Sequence, residues 1–179
     1  MKKVVYKTFI SNQYNQITKG GNFNALINSG VVHPIGILMV PYISSTESTS
    51  LGDYAWKSPF DTAPATGHPI SLTNLQVTIG EKNTLQTTMF YTFEHFIQQV
   101  ARAESLTSSD FGVTTGLFGQ NWWEYNRFYY VNIERSAIAK LQPRNINVSF
   151  TNNSQMAIDV LVLYFSVMNV ILIVKLELL

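Results

Sequence analysis

The chain has 179 residues, of which 46% are hydrophobic, 13% aromatic and only 13% charged, with twelve basic against eleven acidic side chains for a formal net charge of +1. That length holds one domain with an ordinary core, and the composition excludes disorder driven by low hydrophobicity and high charge. The lack of cysteine excludes disulfide frameworks, Cys-ligated metals and thiol nucleophiles, and with no run of like charge nothing supplies the positive field that nucleic-acid backbones select.

The opening Met1-Lys2-Lys3 is followed by two apolar residues before Tyr6 and Lys7, which is not the pattern of a secretory signal. The first clear strand signal is Asn22 to Ile27, where Phe23, Ala25 and Ile27 alternate with Asn22, Asn24 and Leu26. A second apolar run, Ile35 to Ile43, reads as a strand in which Pro41 marks an edge or an end. Residues 44–69 read as a long loop punctuated by Ser58-Pro59, Ala63-Pro64 and His68-Pro69. Leu75, Val77 and Ile79 alternate with Gln76 and Thr78, and the chain turns at 80–83. One helix is expected, about Met89 to Glu104, with Phe93, Phe96, Ile97, Val100 and Ala101 on a single stripe. Asn121 is expected to cap a single helical turn holding Trp122, Trp123 and Glu124. Three strands follow: Phe128 to Glu134, Arg144 to Phe150, and Ala157 to about Phe165, the last two joined by a polar hairpin connection at 151–155. Strands do not alternate with helices as a parallel sheet requires. The expected fold is therefore all-β: an antiparallel two-sheet jelly-roll sandwich with one amphipathic helix and long loops. Its single domain spans residues 1–165. Residues 166–179 form an apolar C-terminal tail, read as disordered or the product of an aberrant frame.

Groups able to carry chemistry are few. His33, His68 and His95 lie far apart, and no HxH, HxxxH or HExxH spacing exists to converge them on a metal. Ser58-Pro59-Phe60-Asp61 is a turn and not a nucleophile elbow, since G-x-S-x-G is absent. Gly112, Gly116 and Gly119 are not followed by Gly-Lys-Ser/Thr and make no phosphate loop. Glu94 and Glu104, ten residues apart on one helix, stand about 15 Å apart along its axis, too far for a paired-carboxylate device. The triplets Asn147-Val148-Ser149 and Asn152-Asn153-Ser154 match the glycosylation pattern but carry little weight without a secretory signal. No catalytic, metal-binding or cofactor-binding set can be assembled, so the chain reads as a non-enzyme without cofactors. What stands out is an aromatic cluster, Trp122, Trp123, Tyr125, Phe128, Tyr129 and Tyr130, suited to core and subunit contacts or to stacking. Of these, Trp122, Trp123, Tyr125, Phe128 and Tyr130 are the candidate interface or stacking residues.

Several stretches, taken in order, resemble the second, C-terminal jelly roll of double jelly-roll viral major capsid proteins. They are Ser58-Pro-Phe-Asp-Thr-Ala-Pro, Leu72-Thr-Asn-Leu-Gln-Val-Thr-Ile-Gly, Phe90-Tyr-Thr-Phe-Glu-His-Phe-Ile-Gln-Gln, Gly116-Leu-Phe, Asn126-Arg-Phe-Tyr-Tyr-Val, Asn147-Val-Ser-Phe-Thr-Asn-Asn-Ser and Ile158-Asp-Val-Leu-Val-Leu. The similarity spans about residues 20–165. It implies a capsid structural protein of an icosahedral virus, assembled inside the host cell and residing in the virion, with no catalytic site. It also implies self-association into a homotrimeric or pseudohexameric capsomer and contacts with neighbouring capsomers. A full member carries two jelly rolls and this chain has room for one, so a missing first jelly-roll half is a further implied partner. Two other readings remain open at this level. One is a jelly-roll carbohydrate-binding module using Trp122, Trp123 and Tyr125; the other is a membrane contact through the apolar run Val160 to Val174.

Overall fold

The computed structural model describes residues 2–27, 34–44, 70–80, 82–85, 90–103, 119–125, 127–133 and 145–172. In chain order it has strands β1 (Lys2–Ile17), β2 (Asn22–Ile27), β3 (Pro34–Ile43), β4 (Leu72–Ile79) and β5 (Lys82–Asn83), then helices α1 (Phe93–Ala101) and α2 (Gln120–Tyr125). Strands β6 (Tyr129–Asn132), β7 (Ile146–Asn152) and β8 (Ile158–Leu172) complete it.

The strands make two antiparallel four-stranded sheets, ordered β1-β8-β3-β6 and β2-β7-β4-β5. The pairs β1·β8, β2·β7, β3·β6 and β4·β5 are those of one long hairpin with four strands in each limb. Rolling that hairpin into two layers adds the pairs β8·β3 and β7·β4. This is the jelly-roll arrangement, and the fold is an all-β two-sheet sandwich. Alternation sets which residues face inward. Ile37 and Met39 on β3, Val160, Val162 and Tyr164 on β8, and Tyr129 and Val131 on β6 are buried between the layers. Facing them from the second sheet are Leu75, Val77 and Ile79 of β4 with Ile146, Val148 and Phe150 of β7. One side of the sandwich is closed by a ring stack, Tyr14 edge-on to Phe23 at 4.9 Å and Phe23 on Phe150 at 4.6 Å.

Several expectations change. Strand β1, sixteen residues long, has no clean alternation in Val4 to Ile17 and is not recognisable from the sequence. Strand β8 does not end near Phe165: it runs to Leu172, pairing residue for residue with β1 until Lys2 meets Leu172. The apolar run from Val160 to Leu172 is thus strand, and the first half of the supposed tail belongs to the sheet. Among the described residues, no helix is long and apolar enough to cross a membrane.

The 151–155 connection is not a hairpin, because β7 and β8 lie in different sheets. It is a crossover between layers, as is the β1–β2 connection, and Asn152 fastens the two together. Its backbone exchanges hydrogen bonds with Gly20 and Gly21 (2.9 Å each). Its side-chain Nδ2 donates to the carbonyls of Ile17, Thr18 and Met156, while Oδ1 accepts from Ser154 N–H. Pro41 lies near the end of β3, which is central in its sheet; β6 pairs with β3 only over Gly36 to Met39, so among the described residues β3 at Pro41 has a strand neighbour on the β8 side alone, where a proline is tolerated. The expected loop at 44–69 lies outside the described residues after Ser44.

Candidate functional site

Helix α1 starts where Thr92 takes an extended backbone and caps it; Thr92 and His95 form a reciprocal box in which His95 stands where Glu or Gln is usual. The apolar stripe is nearly the expected one. Phe96 and Val100 are buried, but Ala101 is exposed and Gln99 is buried in its place. The reason lies in what α1 packs on. It lies against β6, the edge strand of the first sheet, where Gln99 Oε1 accepts the Asn132 N–H at 3.1 Å. Just before the helix, Tyr91 Oη donates to the carbonyl of Tyr130. Two backbone groups on the edge of β6 are thereby satisfied by side chains.

Helix α2 begins at Gln120, so Asn121 lies inside it and is not its cap; Gln120 Nε2 and Glu124 Oε1 bond at 3.0 Å. The short helix delivers Trp123 into a cage of rings. Phe93, Phe96, Tyr91 and Tyr129 all lie within 6.4 Å of it, centroid to centroid. Its Nε1 donates to the Phe128 carbonyl at 2.9 Å, and the Arg127 guanidinium sits 5.5 Å above its ring. Phe128 meets Phe96 edge-on at 5.0 Å and is buried, and Tyr130 is fully buried. Trp122 is half-buried against Phe128. The side chain of Tyr125 lies outside the described residues. Of the five candidate residues, then, Trp123, Phe128 and Tyr130 are core, and a ring already enclosed by other rings cannot stack on a sugar. The glycan-binding reading loses Trp123, its central element.

Beside this cage a cleft of about 280 Å³ opens between the start of α1 and α2, lined among others by Phe90, Thr92, Glu94, Gln120, Glu124 and Arg127. It has polar groups of both signs, and at its rim the Thr92 hydroxyl meets His95 Nδ1 at 2.8 Å as part of the helix cap. Two phenols near it, Tyr91 and Tyr129, are both pushed above the usual value of 10.0, chiefly by burial, well above it for Tyr91. Both therefore stay protonated and act as clasps, Tyr91 on the Tyr130 carbonyl and Tyr129 as acceptor from Leu72 N–H at 3.0 Å. Among the described residues, no group of three or more His, Asp or Glu is placed to hold a metal ion. His95 serves the Thr92 cap; His33, His68, Glu104, Ser58, Gly112 and Gly116 lie outside the described residues. Asn152 is buried in its staple and Asn147 sits half-buried within β7.

A second feature is decided by the sheet and not by local sequence pattern. The outward face of the first sheet carries Leu38 and Val40 on β3 and Leu161, Leu163 and Phe165 on β8, all half-buried. Register brings Leu38 opposite Leu163 and Val40 opposite Leu161. On β1, Phe9 stands opposite Phe165 with ring centroids 6.0 Å apart and is 60% exposed. An antiparallel sheet with one face in the core ordinarily turns polar residues outward. Here the outward residues of β3 and β8 are apolar and half-buried as well, Tyr130 opposite Leu38 is fully buried, and β1 sets Lys7, Ser11 and Gln13 around the exposed Phe9. The signal of this face in the sequence is the unbroken apolar run Val160 to Phe165, a pattern that a strand buried on both faces shares.

No protein-family model matches the chain, and no curated protein matches it.

Proposed function

We propose that this chain is a viral capsid structural protein, a jelly-roll subunit that self-assembles into capsomers, trimeric or pseudohexameric in outline, tiling an icosahedral shell. The observation that carries the reading is the apolar outward face of the β1-β8-β3-β6 sheet. That face carries Leu38, Val40, Leu161, Leu163 and Phe165, each half-buried within the chain itself, and on its β1 margin Phe9, which is 60% exposed. Packing among copies of the subunit would cover what stays exposed there, Phe9 first. The resemblance of residues 20–165 to the second roll of double jelly-roll capsid proteins supports the same reading. So does a net charge of +1, which offers little repulsion between copies. A missing first jelly-roll half is the natural companion in this scheme.

The test is size-exclusion chromatography with light scattering, alone and with a co-expressed first roll. Trimers or larger assemblies are the expected outcome. A chain that stays monomeric at high concentration in both conditions sinks the proposal.

A further inference from the structure

Among the described residues four strands lie at sheet edges: β1 and β6 in the first sheet, β2 and β5 in the second. Three are short, with six residues in β2, two in β5 and four in β6, and β6 is also capped by Gln99 and Tyr91. The fourth, β1, has sixteen residues, about 50 Å of extended chain. Among the described residues it has a strand neighbour only on its β8 side. Edge strands of this length are normally guarded by lysine, proline, a bulge or a cover. The lysines of β1 are all at its start, at 2, 3 and 7, and its bulge is at the far end between Tyr14 and Ile17. From Thr8 to Gln16 the strand has neither a charge nor a proline.

We propose that the outer edge of β1 pairs antiparallel with β1 of a second copy, about a twofold axis at Phe9. The charge distribution admits a copy of the same strand in the antiparallel sense and disfavours the parallel one. Lysines gather at one end and Asn12, Gln13, Asn15 and Gln16 at the other. Antiparallel self-pairing at Phe9 sets Lys7 opposite Ser11, Lys3 opposite Asn15 and Tyr6 opposite Asn12, with no lysine facing another. Parallel pairing would stack lysine on lysine, which is unfavourable. Centring on Phe9 also builds a row across the joined sheet, Phe165–Phe9 of one copy meeting Phe9–Phe165 of the other, extending the 6.0 Å ring pair already present. The Phe9 pair then bridges the apolar β8–β3 faces of the two copies. This pairing rests on the edge geometry and holds whether or not the chain builds a shell.

Because the chain has no cysteine, one introduced thiol reports the contact. Directly opposed antiparallel residues have Cα atoms about 4.5–5.5 Å apart, inside the disulfide range. Under mild oxidation the full chain carrying Phe9→Cys is expected to form a disulfide-linked dimer at least tenfold faster than Leu26→Cys, whose position on β2 is as exposed (61%). Phe9→Lys, which puts two ammonium groups together at the axis, is expected to weaken the dimer at least tenfold in sedimentation while leaving the circular dichroism spectrum unchanged. Equal cross-linking rates for Phe9→Cys and Leu26→Cys overturn the pairing. So do assemblies indifferent to Phe9→Lys, which leave the capsid reading standing on other contacts. A monomer that sediments with neutral phosphatidylcholine vesicles overturns it too, by making lipid the cover. A Phe9-dependent dimer that never grows beyond two supports the pairing and removes the shell.

Discussion

Gly36 has a tyrosine lying across it. A Cβ built there would meet the Tyr130 ring at 2.6 Å from Cε2, with Oη and Cζ also closer than real contacts allow. Tyr130 cannot give way, because it is fully buried and its carbonyl is held by Tyr91. Gly36→Ala is therefore expected to destabilise the sandwich by about 1–3 kcal/mol through overpacking, read as a lower urea midpoint with an unchanged slope. The clasping tyrosines set the pH response. Tyr91 and Tyr129 hold their protons above the usual 10.0 because burial disfavours the phenolate. The folded state thus binds protons that the unfolded chain releases near pH 10, so this stability is complete below about pH 10 and is lost as pH rises through the folded-state values. The urea midpoint should stay flat from about pH 7 to about pH 9 and fall above about pH 10, and Tyr91→Phe should make that fall shallower.

At the level of elements, the two ends of the first sheet are treated differently. Helix α1 guards β6 by lending it side-chain hydrogen bonds, and this explains why Gln99 occupies a buried helix position that composition would assign to Ala101. Gln99→Leu keeps the apolar volume but removes the acceptor for Asn132 N–H. A hydrogen bond of this kind is worth about 1 kcal/mol net, so the Asn132 amide should exchange about five- to tenfold faster by hydrogen-exchange NMR, with global stability only slightly reduced. At the other end, β1 depends on the last part of β8. Without residues 166–172 the stretch Lys2 to Thr8 loses every strand partner that the described residues give it. Deleting 166–179 should therefore leave the amides of residues 2–8 unprotected while the β2-β7-β4-β5 sheet retains its protection.

For the molecule as a whole, the governing fact is a sandwich in which strands β3 and β8 carry apolar residues on both faces, with Phe9 exposed beside them. Contacts through such a face are neutral, so ionic screening has little hold on them. The assemblies proposed for the chain are therefore expected to persist when salt is raised from about 0.05 M to about 0.5 M, checked by light scattering, whereas contacts built on ion pairs would loosen. The topology adds a kinetic consequence. Strand β1 finds its partner at the far end of the sequence, so the first sheet cannot be completed from local contacts, and folding dominated by such pairings belongs in the millisecond-to-second range.

Where a strand alternates cleanly, as in β2, β4 and β7, or a helix repeats at 3.6, as in α1, the element could be recognised from the chain alone, because local period and one-sided burial agree. The all-β two-sheet class followed from those elements and from their failure to alternate with helices. The aromatic cluster was visible too, but not its use: whether Trp123 faces a ligand or a cage depends on where α1 and β6 bring Tyr91, Phe96 and Tyr129. Strand β1 was hidden because its residues at one face are polar at one end and apolar at the other, and only pairing with β8 makes it a strand. Likewise the 151–155 segment has hairpin composition yet crosses between sheets, since the same polar residues satisfy either connection and Asn152 chose the staple. Composition and period thus determined the layers, while pairing across most of the chain's length decided which strands lie at the sheet edges among the described residues and which apolar residues face outward. Those choices depend on contacts between residues too far apart in sequence for any local pattern to record.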